Sequence, residues 1–219
     1  MVSFLLKITN GHSVLDALNL ASCMEADLWN NLVIRRDHLD VLCSGRLEPR
    51  NDIDLSPADQ VLHFARRAYS NICLDLSGNM EPFTMSLLRQ SREIFVVCTS
   101  DVASLHFARA KAHFLKDAGL GDRASVLINR SGVLTHFSLS EVERVVGLPI
   151  RSSFQNDPRG VSQAMLAGTS VNPKSALGLK CTAFAQSIAG TEKPSLPGKR
   201  RRRFVDYFAI VPSREHTAD

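Results

Sequence analysis

The stretch Asn71-Ile-Cys-Leu-Asp75-Leu-Ser-Gly78-Asn79 sets a carboxylate behind apolar residues, with a glycine three positions later. A carboxylate at the mouth of a buried strand can organise the water shell of a Mg²⁺ ion, and a glycine amide beside it can donate to a terminal phosphate. The same residues also describe a plain strand exit, with Asp75 capping a turn and Gly78 supplying an awkward backbone angle. Val126-Leu-Ile-Asn129-Arg130 is a second such end. The Asn129 carboxamide can pair with an adenine edge and Arg130 can reach a phosphate or a partner, or the two are a turn residue and a solvated cation. Gln155-Asn-Asp157-Pro158 is the third. It can line a base pocket, although in isolation Asp157 reads better as the cap of a helix starting near Pro158.

For these residues to meet, strands must bring them to one edge. Apolar runs that suit strands occur at 39–43, 71–76, 93–98, 124–129 and 149–153. Helical spacing fills the gaps. Residues 57–70 place Val61, Phe64, Ala65 and Ala68 on one face behind Ser56 and Pro57. Further helices are predicted over 80–91, over 101–118 with Ser100 as cap, and over 139–146, 160–167 and 176–188. Strands that read as continuous apolar runs and alternate with helices predict an α/β fold, with a mostly parallel central sheet covered on both faces. Ligands of such sheets bind beyond the carboxyl ends of the strands, which singles out the loops after Cys43, Leu76, Cys98 and Ile128.

Composition narrows the field. At 219 residues the chain can bury one substantial core. No stretch approaches the roughly 18 apolar residues of a transmembrane span. The net charge is +4, and residues 199–219 contribute most of it, with six Lys or Arg against three acids. The near-neutral remainder argues against a broad nucleic-acid footprint. Of the five cysteines, Cys43, Cys73 and Cys98 fall in apolar runs and are expected to be buried; the odd count and wide spacing suit a reducing cytoplasm and supply no zinc site. His106 and His113, seven apart, can share a helix face but lack an acid at ligand spacing. Trp29 is expected to anchor a helix.

The runs CLDLSGN, EIFVVCTSDVASLHFARAKAHFLKDAGL, SVLINRSG and EVERVVGLPIRSSFQNDPRGVSQAMLAGTSV, in that order, resemble the rear two-thirds of a MinD/ParA-type ATPase. The opening GHSVLDALNLASCMEADLWNNLVIRRDHLDVLCSG is similar to the CpaE/TadZ branch, which is associated with placing type IV or Flp (tad) pilus machinery. The resemblance implies a P-loop NTPase-like, Rossmann-like three-layer sandwich, incomplete on its N-terminal side. It implies a Walker B role for Asp75, which would hold Mg²⁺ through water. Gly78 would sense the γ-phosphate, Asn129 would face adenine with Arg130 beside it, and Asp157 would lie near the base. In the resembled family ATP and Mg²⁺ are the cofactors, and a homodimer closes around the nucleotide.

The family's phosphate cradle, a Gly-rich loop ending in Gly-Lys-Ser or Gly-Lys-Thr, is absent from the sequence. Pro197-Gly198-Lys199-Arg200 has the Gly-Lys pair without the hydroxyl. A triphosphate beside Asp75 with no lysine and amide nest to offset it would be repelled. No cofactor is therefore expected for this chain alone, and its partners are expected to be proteins of a pilus or secretion assembly. A working slow ATPase whose loop comes from elsewhere, and an unrelated small-ligand binder on the same fold, are the alternatives.

Residues 1–190 are expected to form the α/β domain, and 191–219 a basic linker and short hydrophobic tail. Lys199, Arg200, Arg201, Arg202 and Arg203 run straight into Phe204. Cations beside aromatic residues can touch anionic lipid at the inner face of the cell membrane, and the same cations can meet nucleic-acid phosphate. A solvated linker whose apolar end docks on the body or on a partner is the third possibility.

Overall fold

The computed structural model describes residues 2–8, 11–36, 39–44, 54–132 and 137–189. The first part of the chain runs α1 (Val2–Leu5), α2 (Val14–Asn19), α3 (Ala26–Leu32), β1 (Ile34–Arg36), β2 (Leu39–Val41), α4 (Ala58–Ala68) and α5 (Pro82–Gln90). It continues as β3 (Ile94–Cys98), α6 (Val102–Asp117), β4 (Ala124–Ser131), α7 (Leu139–Val146), β5 (Ile150–Gln155), α8 (Pro158–Ala167) and α9 (Ala176–Ala189).

β3, β4 and β5 form a parallel sheet in that order. Ile94, Val96 and Cys98 sit opposite Ala124, Val126 and Ile128, and all six are buried. They pack with Leu105, Ala108, Ala112 and Leu115 of α6 and with Val142 and Val146 of α7. Each fully buried aliphatic side chain of this kind stabilises the fold by about 1.5–3 kcal/mol. On the opposite face Phe95 and Phe154 meet Phe184 of α9 edge-on, with ring centroids 5.4 and 5.5 Å apart. Helices thus cover both faces of the parallel sheet, giving the three layers expected.

α2, α3 and α4 build a second cluster around Ala17, Leu18, Trp29, Leu32, Val61 and Ala65. Trp29 is the buried anchor the sequence predicts, stacked 5.3 Å from Phe64. Its indole Nε1 donates to the Tyr69 hydroxyl (2.7 Å), which donates to Asp40 (2.6 Å), and Arg35 grips Asp40 with two nitrogens at 2.8 and 2.9 Å. α5 joins the two clusters: Gln90 at its end donates to Asp59 of α4 at 2.6 Å and accepts from Arg66.

Several expectations are corrected. Residues 39–41 pair antiparallel with 34–36 in a separate hairpin, because Arg35 and Asp40 face each other across it. Residues 71–77 form no strand, and no backbone group of theirs hydrogen-bonds another described residue. Leu74 and Leu76 are half-buried while Cys73 and Asp75 are exposed, the alternation of a strand without its ladder. Cys73 is therefore not the buried thiol expected, whereas Cys43 and Cys98 are buried. Asp101, not Ser100, caps α6, its Oδ1 accepting from Ser104 N at 2.9 Å. The proposed linker and tail, 191–219, lie outside the described residues.

Candidate functional site

Because β3, β4 and β5 are parallel, their carboxyl ends share one edge. Thr99-Ser100-Asp101 follow β3, Asn129-Arg130-Ser131 close β4, and Gln155-Asn156-Asp157 close β5. The ladder ties the last two together: Ser131 is in register with Gln155, and Asn156 N donates to Ser131 O at 3.0 Å. At the end of β3 the Thr99 hydroxyl donates to Asp101, and Thr99 N donates to Ser104 Oγ at 3.0 Å. The Thr99 hydroxyl, followed by the Ser104 amide, holds the Asp101 carboxyl below its ordinary pKa.

Asn129 and Arg130 are exposed at this edge. Asn129 Oδ1 accepts from the Arg130 amide at 2.9 Å. That local bond belongs with the backbone of Arg130, whose φ of 54° is left-handed. Here Asn129 behaves as the turn-forming residue of its plain reading, while its side-chain nitrogen makes no hydrogen bond with a described residue. Asp157 caps α8, its Oδ1 accepting from Gly160 N at 2.8 Å. The approach is so close that a β-carbon at Gly160 would lie 2.2 Å from the second carboxylate oxygen, so any larger residue there would displace the Asp157 carboxylate. Asp157 is thus committed to the helix cap.

Asp75 is exposed on the 71–77 segment and makes no hydrogen bond or ion pair among the described residues. Gly78 has no left-handed backbone angle, and what lies against it is the end of a lysine side chain: a β-carbon there would sit 2.8 Å from Lys111 Nζ, which can swing aside. Lys111, a half-buried residue of α6, is the cation that sequence reading missed. Nothing local marks it, because a lysine in mid-helix looks like any solvated residue until packing brings it to Gly78.

The structure therefore joins the ends of β3, β4 and β5 into one polar edge carrying amide groups, an arginine and carboxylates. Among the described residues no three His, Cys, Asp or Glu side chains gather as a metal site. Two open grooves, of about 380 and 540 Å³, are lined from α4, α5 and their neighbours and by none of these edge residues. Neither is the closed apolar pocket that would favour a small-ligand binder. No helix among the described residues is long and apolar enough to cross a membrane.

No protein-family model matches the chain, and no curated protein does. Solved structures do. A ParA family ATPase from Chlorobium tepidum TLS superposes with a TM-score of 0.76 at 22% identity, over 83% of this chain and 78% of that one. The MinD cell division protein of Aquifex aeolicus gives a TM-score of 0.69 at 14% identity, over 88% and 81%. The septum site-determining protein MinD of Pyrococcus horikoshii OT3, complexed with Mg-ADP, gives 0.64 at 16% identity, over 85% and 77%. The chain therefore has the P-loop NTPase-like α/β fold of the MinD and ParA proteins.

Proposed function

We propose that the chain is a MinD/ParA-like positioning factor that acts through protein contacts, in the placement of a Flp (tad) or type IV pilus or a related secretion system. The observation that carries the reading is a disparity within one fold. The strand-end edge carries Asn129 and Arg130 at the positions that the resemblance gives them, with Asp157 taken up by the α8 cap, but the 219 residues contain no Gly-Lys-Ser/Thr loop to hold a triphosphate. Asp75 and Gly78 correspond to the metal and γ-phosphate positions of the resembled family. Lys111 supplies one positive charge beside Gly78, but a lone lysine without a nest of amides is a weak phosphate clamp.

The test is calorimetric titration of the full chain with Mg-ATP, alongside its Asp75→Ala variant. No micromolar binding and no hydrolysis in either supports the contact role. Micromolar affinity that depends on Asp75 overturns it.

One observation favours a second reading, a slow Mg-ATP-dependent ATPase whose phosphate loop comes from a further segment or a partner. β3 is an edge strand among the described residues, and the 71–77 segment, whose Leu76 packs on the same core, has strand-like alternation without a ladder. An added strand carrying a Gly-Lys-Ser/Thr loop would satisfy both. An in-frame sequence of that kind immediately upstream in the DNA would favour this reading.

A further inference from the structure

In a three-layer sandwich the outward face of a covering helix is ordinarily polar. α6 departs from this. Its inward face is Leu105, Ala108, Ala112 and Leu115, yet Ala103, Phe107, Ala110 and Phe114 on the outward side are all exposed. Phe107 is 66% and Phe114 43% exposed, which leaves about 200 Å² of aromatic surface per copy facing solvent. The spacing of four, three and four residues is that of a helix–helix seam.

We infer that this stripe is a docking face for a second copy of the same chain, the two α6 helices pairing antiparallel about a two-fold axis. A parallel in-register pair would instead set ring on ring and alanine on alanine. Antiparallel pairing centred between Ala108 and Arg109 sets Phe107 against Ala110 of the second copy, and Phe114 against Ala103. A large ring meets a small residue at every step, which permits the close axial approach that alanine allows. A two-fold axis also makes each contact occur twice, as an isologous interface requires. No ionised side chain lies within the stripe. Beside it run His106 and His113 on one flank and Ser104 and Lys111 on the other; the two-fold axis brings like flanks together, so each Lys111 lies beside Ser104 of the second copy. Two aromatic rings and two alanines from each copy bury about 400 Å² of ring surface. With their surroundings they remain below the roughly 1,200 Å² of standard interfaces, so the association is weak and reversible.

This pairing needs no nucleotide and does not rest on the proposed function. It is tested by sedimentation equilibrium of the full chain without nucleotide, up to a few hundred micromolar. The wild type is expected to show a concentration-dependent dimer. Phe107→Ala leaves alanine facing alanine and Ala110→Phe sets ring against ring, so each is expected to weaken the dimer about tenfold. The double variant Phe107→Ala/Ala110→Phe restores ring against alanine, and is expected to recover most of the affinity. Both positions are exposed, and unchanged melting of the variants confirms their folding. A wild type monomeric at every concentration overturns the inference, leaving the stripe to another protein or to the chain's own C-terminal residues. So does a double variant as weak as the single ones.

Discussion

Tyr69 ties three parts of the N-terminal half together through one hydroxyl. Its hydroxyl accepts from Trp29, donates to Asp40, and so links α3 and the end of α4 to the β1–β2 hairpin. Burial, reinforced by the hydrogen bond to Asp40, pushes its pKa up to about 12. A group whose folded pKa is raised holds its proton in the native state after the unfolded chain has lost it. Its contribution is therefore whole below about pH 10, the ordinary tyrosine value. It declines as pH rises to about 12. Tyr69→Phe is expected to flatten that part of the stability–pH curve relative to wild type. At neutral pH it should cost about 1–3 kcal/mol, since Trp29 and Asp40 each lose a partner. Urea unfolding of both proteins at pH 8, 10 and 11.5 measures the two effects together; an unchanged alkaline slope would count against the role given to Tyr69.

Among the elements, α8 shows how a residue can suit a ligand by type and yet serve a helix. Asp157 has one carboxylate oxygen on Gly160 N and the other pressed against Gly160 itself. Asparagine caps as well as aspartate, whereas alanine forfeits about 0.5–2 kcal/mol. Asp157→Asn is expected to melt like the wild type and Asp157→Ala to melt lower, by differential scanning calorimetry. A large loss in the Asn variant would mean that the charge matters for more than the cap. The helices were legible because Val61, Leu62 and Ala65, or Val142 and Val146, recur at helical spacing. The strand at 71–76 was misread for a physical reason: period-two alternation records which side chains are covered and says nothing about whether a ladder partner exists. The hairpin was missed because its partner residues, Arg35 and Asp40, are polar and leave no apolar signature.

At the scale of the whole molecule, a parallel sheet was inferable from the apolar runs of β3, β4 and β5, and with it the shared edge of strand ends, whereas the order of the strands was not. The relation of Lys111 to Gly78 was not, since it arises only when α6 lies against the 76–80 loop. Beyond α9 the chain carries the five cations Lys199 to Arg203 and Phe204. Each cation near an anionic bilayer is worth about 1 kcal/mol. If the tail meets lipid, the full chain should float with vesicles containing phosphatidylserine at low salt while a chain ending at Gly198 stays below. Equal behaviour of the two would leave protein docking as the tail's role.

One backbone angle at the strand-end edge sets durability against charge. Arg130 keeps its φ of 54° although a β-branched-free but bulky L-residue is crowded there, at about 1–2 kcal/mol. Asparagine tolerates that conformation better. Arg130→Asn is therefore expected to raise the melting temperature or leave it alone, while removing the arginine at the end of β4. A protein made hardier by losing a residue is one in which that residue answers to something other than folding.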